Sequence, residues 1–212
     1  MSDGKMVNMS EESVSQHTPT ISKEELAPGI VVYKDVIPGH QQLIPYVEHT
    51  VGAGMANWDT IKFLGKENQG MTFPFWSEYK DPNDFSISFE ERMSLVFSGY
   101  IGVVEQDYLK TNNLPHKNHS KFVLQKTEKG VSFLLDPKKI KDFSSVIVFY
   151  FLNNDYSGGS IEFLDIGITY YPKENEVLFI PSVEDYAYGI SEILSGTKYS
   201  VSTWLLIPSE GP

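Results

Sequence analysis

Cysteine is absent from this 212-residue chain, which excludes disulfides and thiolate metal sites and leaves the redox compartment undetermined. Arginine is almost absent: Arg92 stands alone beside the lysines. Basic residues number 17 against 28 acidic ones, for a net charge of -11 and a pI near 4.9. Such a surface does not neutralise phosphates, so no nucleic-acid partner is expected. No stretch approaches the ~20 consecutive apolar residues of a membrane span. The N-terminus lacks the basic-then-apolar order of a secretion signal. A soluble protein of an intracellular or particle environment is the expectation, with no membrane partner. No phosphate-binding glycine motif and no serine nucleophile elbow occurs.

What is present is a chain of 41% apolar and 13% aromatic residues, enough for one sizeable core. Residues 1–25 are dominated by Ser, Glu, Lys, Met, Thr and Gln, and read as a flexible N-terminal arm. Residues 26–212 form the single domain. The β-branched run from Ile30 to Ile37 predicts a strand, and Gln41 to His49 predicts a helix with Pro45 in its first turns. Between residues 52 and 85 the composition predicts loops with short strands at Ile61–Phe63 and Met71–Phe73.

Phe89, Met93, Val96, Phe97, Tyr100, Ile101, Val104 and Tyr108 recur at helical spacing, predicting a helix from about Ser88 to Lys110. Ser88 is its expected cap, with Glu90 and Glu91 in the first turn. Phe122–Gln125, Ser145–Leu152, Ser160–Phe163, Ile166–Tyr170, Glu176–Ile180 and Lys198–Ile207 then read as strands. Short strands at this spacing predict a mainly β domain with flanking helices, a double-stranded β-helix of the jelly-roll, cupin-like type.

Three blocks carry more than strand propensity. Phe151 to Phe163, with Asn153-Asn154-Asp155-Tyr156-Ser157-Gly158-Gly159 at its centre, reads as a strand, a tight turn and a second strand. Tyr171 to Ser182 contains Tyr171-Pro172 and ends on Phe179-Ile180-Pro181-Ser182. Ser195-Gly196-Thr197-Lys198-Tyr199-Ser200 opens the last strand. Together, in this order, they resemble the prolyl-4-hydroxylase-type Fe(II)/2-oxoglutarate dioxygenases, and most closely the compact bacteriophage-encoded members. The resemblance implies the jelly-roll fold, with Phe151–Phe163 as its core hairpin.

It also implies a His-x-Asp pair and one distal His as iron ligands. Counting from Gly130 puts Asp136 at the first histidine position and Lys138 at the aspartate position. A register shifted by two puts Leu134 at the first position and keeps Asp136 as the carboxylate. The distal position falls on Tyr188. His17, His40, His49, His116 and His119 all lie elsewhere. A phenol and a lone carboxylate do not replace imidazoles in a ferrous ligand field.

The cosubstrate side is less altered, for the resemblance places Lys198 where a basic residue pairs with the distal carboxylate of 2-oxoglutarate, and Ser200 where a hydroxyl assists. Lysine serves there as a point charge, without the bidentate fork of arginine.

Other groupings are weaker. His116 and His119 have a spacing compatible with one metal but no evident third ligand, and otherwise read as a solvated loop. Glu90 with Glu91 and Glu174 with Glu176 read as solvated faces. The expectation is therefore a non-catalytic dioxygenase-fold module, structural or interacting, in the host cytoplasm or in a bacteriophage particle. No cofactor is expected, and protein partners or a second copy meet it through the N-terminal arm. The alternative is a 2-oxoglutarate/Fe(II) oxygenase acting on a protein or small molecule through an atypical metal site.

Overall fold

The computed structural model describes residues 20–63, 66–74, 87–115, 118–129, 132–135, 144–182 and 186–207. The chain opens with an antiparallel pair, β1 (Ser22–Ala27) and β2 (Ile30–Lys34), turning at Gly29 with φ 77°. Strand β1 straddles residue 26, where composition marks the start of the domain. A 3-10 turn at His40–Gln42 leads into α1 (Leu43–Gly52). Pro45 sits in its first turn, where a missing N–H breaks no helical bond.

The hairpin of β3 (Asp59–Phe63) and β4 (Lys66–Phe73) precedes α2 (Phe89–Thr111). Ser88 caps α2 through a reciprocal capping box: its Oγ accepts from the Glu91 N–H, and its own N–H donates to the Glu91 carboxylate.

The remaining elements are strands. They run as β5 (Asn118–His119), β6 (Phe122–Thr127), β7 (Phe133–Leu135), β8 (Ser144–Phe151), β9 (Ser157–Gly158) and β10 (Ile161–Phe163). Then come β11 (Ile168–Tyr170), β12 (Glu176–Pro181), β13 (Tyr188–Ile190), β14 (Ile193–Ser195) and β15 (Lys198–Ile207).

The main sheet has the order β1-β2-β12-β8-β15-β6-β4-β3, with β5 added to β15; the smaller one is β11-β10-β13-β7. Every strand pair among the described residues is antiparallel. The two sheets enclose one apolar cluster, and the helices cover a second on the outer face of the main sheet. This is the expected jelly roll with flanking helices.

Side-chain alternation divides the main sheet between these clusters. On β8, Val146, Val148 and Tyr150 face the helices, while Ile147, Phe149 and Phe151 face the smaller sheet. On β12, Val177 and Phe179 go outward, and Leu178 and Ile180 inward. The aromatic stripe of α2 is core: Phe97 touches Phe73, Phe122 and Tyr150, and Tyr108 stacks on Phe179 at 4.5 Å.

One expected element differs. The segment Phe151–Phe163 is not a hairpin, because β8 lies in the main sheet between β12 and β15, whereas β10 lies in the smaller sheet between β11 and β13. The Asn/Asp/Gly stretch is a crossover between sheets. Asn153 fastens it: Nδ2 donates to the Thr197 carbonyl at 2.7 Å, and Oδ1 accepts from the Tyr199 N–H at 2.8 Å.

Candidate functional site: a buried lysine in a polar wall

The inward face of the main sheet changes character along its width. At β2, β12 and β8 it is apolar over Ile30, Val32, Leu178, Ile180, Ile147, Phe149 and Phe151, with the buried Glu176 at the start of β12 as its one charged member. At β15, β6 and β4 it is polar and still buried: Lys198, Ser200, Ser202, Gln125, Thr127 and Asn68. The polar groups are knitted across the strands. Gln125 Nε2 donates to Ser202 Oγ at 2.9 Å, and Asn68 Nδ2 donates to Thr127 Oγ1 at 2.8 Å.

Lys198 dominates this wall. It is 4% exposed, and among the described residues no carboxylate pairs with it. Its Nζ donates to the Gly159 carbonyl at 3.3 Å and lies over the rings of Phe151, at 5.1 Å, and Tyr156, at 5.8 Å. Burial drives its pKa down to about 7. Ser200, two residues along the same face, is also buried, and its register partner on β8 is Phe151. The structure thus places the expected Lys198 and Ser200 together on the inner wall.

Glycine at position 159 permits the meeting of lysine and tyrosine. Its φ is 68°, and a Cβ built there would lie 3.1 Å from Tyr156 Cε2, 3.5 Å from Lys198 Cδ and 2.6 Å from Ile193 Cδ1.

Tyr188 is fully buried in the inner apolar cluster, edge-on to Phe149 at 6.3 Å and tilted against Phe163 at 6.0 Å. Its hydroxyl has no hydrogen-bond partner among the described residues, and burial holds its pKa above the usual phenol range. Tyr188 is the register partner of Leu135, and Gly189 that of Leu134. Leu134, the first position of the shifted register, pairs with Gly189 of β13. Asp136 and Lys138 lie outside the described residues, as do His116 and His17.

His119 is not on a solvated loop. It lies on β5, with Nε2 2.8 Å from Glu105 Oε2 of α2, both side chains being buried. Glu176 is also no surface group: it is buried and accepts from the Tyr170 hydroxyl and the Lys173 N–H. Among the described residues no three His, Cys, Asp or Glu side chains converge to hold a metal. A neutral phenol wedged among phenylalanines is a poor donor for ferrous iron, so the described residues do not fit the facial triad that the resemblance implies.

Sequence reasoning missed Gln125, Thr127, Asn68 and Tyr156. The first two were signalled by polar residues on alternate positions after Phe122-Val123-Leu124. Asn68 and Tyr156 carried no such signal, because they reach the site through a hairpin and a crossover whose paths depend on the sheets.

Comparison with solved structures supplies the context. A viral collagen prolyl hydroxylase from Paramecium Bursaria Chlorella virus-1, solved as a 2-oxoglutarate complex, matches with a TM-score of 0.55 at 12% identity, over 88% of this chain and 96% of that one. A Pseudomonas putida prolyl-4-hydroxylase matches with a TM-score of 0.60 at 12% identity, over 85% and 93%. A prolyl hydroxylase from Trichoplax adhaerens, in complex with a peptide of the hypoxia inducible factor oxygen degradation domain, gives 0.60 at 10% identity, over 84% of each. The fold is that of the prolyl 4-hydroxylases.

Neither a protein-family model nor a curated protein matches the sequence. No helix among the described residues is long and apolar enough to cross a membrane.

These neighbours correct one expectation, that no cofactor is involved. They are Fe(II)/2-oxoglutarate-dependent prolyl hydroxylases, and one was solved with 2-oxoglutarate. The physical reason lies in the wall itself: a basic group buried without a counter-charge is costly as a cation, and either gives up its proton, the direction in which burial drives Lys198, or is balanced by an anion. Lys198 therefore fits the carboxylate of such a ligand, while the described residues do not fit the iron.

Proposed function

We propose that this chain is a dioxygenase-fold binding protein that holds a 2-oxoglutarate-class dicarboxylate on Lys198, with Ser200 beside it, and acts by recognition rather than by hydroxylation. The observation that carries the reading is the burial of Lys198 without a carboxylate partner among the described residues. Binding desolvates no further cation, since the fold has already removed this one from water, so the ligand carboxylate gains the full benefit of a low-dielectric partner.

The non-catalytic role draws on Tyr188 standing, apolar-packed and protonated, at the position that the resemblance gives to the distal iron ligand. The setting proposed is a bacteriophage particle, with residues 1–25 as the arm that contacts neighbouring proteins or copies. Its support is the resemblance of the three sequence blocks to phage-encoded members.

The test is calorimetric titration of the protein and of Lys198→Met with 2-oxoglutarate, followed by anaerobic loading with Fe(II) and an assay for succinate. Binding by the native protein and its loss in the variant are expected, with no succinate released. Absence of binding by the native protein overturns the ligand reading. Stoichiometric succinate release coupled to hydroxylation overturns the non-catalytic one.

A further inference from the structure

A groove of about 800 Å³ runs between α1 and α2 on the outer side of the main sheet, lined chiefly by apolar and aromatic side chains such as Leu43, Tyr46, Met93, Val96 and Tyr100. Its basic members are His49 and Arg92, the one arginine of the chain, and no carboxylate lines it among the described residues. In a chain of net charge -11 that makes it a place suited to an apolar segment carrying acidic groups.

The same chain supplies one. Residues 1–19 lie outside the described residues and lead into β1, which begins beside the groove. Ser22 is the register partner of Lys34, the last residue of β2. The chain leaving Lys34 reaches the groove lining at Ile37, three residues on, a span of at most about 10 Å. Lys23 is tied to the helix that forms one side of the groove, its Nζ donating to Asp107 of α2 at 2.7 Å.

From that tie the lining follows α2 back through Tyr100 and Val96 to Arg92. Arg92 stands fifteen residues before Asp107, about 22 Å along the helix axis. An extended chain covers that distance in about 7 residues and a helical one in about 15. Counted back from Lys23, the residues level with Arg92 fall between about 8 and 16, a stretch that contains Met9, Glu11, Glu12 and Val14.

We propose that this stretch of the N-terminal arm seats in the groove between α1 and α2 of its own chain, with Met9 and Val14 against the apolar lining and Glu11 and Glu12 toward Arg92 and His49. Tethering favours it over a free partner, because a short linker holds a segment at a local concentration on the order of millimolar. The seat is independent of the Lys198 site, which lies on the inner face of the sheet. It refines the role proposed for the arm: neighbours meet the side of it that faces away from the groove.

The absence of cysteine allows a direct test, since an introduced pair has no competing thiol. In the full-length chain, Val96→Cys is combined with Met9→Cys or with Val14→Cys, and Leu164→Cys, exposed between β10 and β11, replaces Val96→Cys in the reference pairs. On oxidation at low protein concentration, a groove pair is expected to close within single chains about tenfold faster than its reference or more. Equal rates overturn the inference, and disulfides formed only between chains overturn the assignment to the same chain.

A second measurement needs no cysteine. His49→Glu, at an exposed position of the lining, opposes Glu11 and Glu12 and should speed cleavage after them by glutamyl endopeptidase about fivefold, followed by the mass of the released N-terminal peptide. An unchanged rate overturns the proposal. If that variant does not fold, the conservative Val96→Cys pairs decide alone.

Discussion

The two halves of the inner sheet face are built from one backbone plan and filled with opposite chemistry. On β2, β12 and β8 every inward residue of the cluster is aliphatic or aromatic, and the smaller sheet closes over them with Ile161, Phe163, Tyr188 and Ile190. On β15, β6 and β4 the buried inward residues include Lys198, Ser200, Ser202, Gln125, Thr127 and Asn68, with Trp204 at the far end of β15 returning to the apolar cluster. Burial alone therefore does not distinguish core from site in this barrel. The difference is whether burial is repaid on the spot. Phe149 gains by leaving water, whereas Lys198 loses, and the loss is offset in part by the Gly159 carbonyl, two ring faces and a lowered pKa.

If that contrast is right, deleting a ring from the apolar half does the most harm. Phe149→Ala should destabilise the protein by about 3–5 kcal/mol in urea unfolding, since it removes the ring that packs on both Phe151 and Tyr188. A loss under 1 kcal/mol would mean that this half is loosely packed.

Lys198→Met should act in the opposite direction, raising ligand-free stability at neutral pH by an amount on the order of a few kcal/mol while abolishing 2-oxoglutarate binding. The pH dependence sharpens this. The folded pKa of Lys198, about 7, lies below its ordinary 10.5, so between these values the unfolded chain binds more protons. Its contribution to stability then rises with pH across that window and is least favourable below pH 7. Urea midpoints of the native protein and of Lys198→Met should converge as the pH climbs through the window. Ligand binding shifts the amine back toward the ammonium form, so affinity should fall as pH rises above about 7.

Smaller effects mark the seam between the halves. Asn153→Ala removes the ties to Thr197 and Tyr199 that fasten the crossover, and should cost about 2 kcal/mol by thermal or urea unfolding. Ser202→Ala leaves Gln125 Nε2 without its acceptor and should cost about 1 kcal/mol. A Ser202→Ala cost as large as that of Phe149→Ala would dissolve the distinction between a satisfied polar wall and a packed core.

Much of this was legible beforehand. The capping box at Ser88 is a local device written in neighbouring residues, and the α2 stripe and most strands follow from periodicity over short windows. The same holds for Lys198 and Ser200, which alternation on one strand places on a common face. Misreadings arose where pairing is long-range. Phe151–Phe163 looks like a hairpin because its turn residues are local, yet its strands join different sheets. His119 looked solvated until α2 brought Glu105 to it.

Residue type and spacing, acting within a few turns of chain, determined the elements, the faces of each strand and the absence of histidine from the positions that the dioxygenase resemblance assigns. Which faces became the inside of a barrel was decided only by the tertiary structure. That step turned an ordinary Lys198 into a buried amine without a carboxylate partner among the described residues and set the Tyr156 ring beside it. The physical reason is that desolvation and the meeting of side chains depend on distances between sheets, which no local pattern encodes.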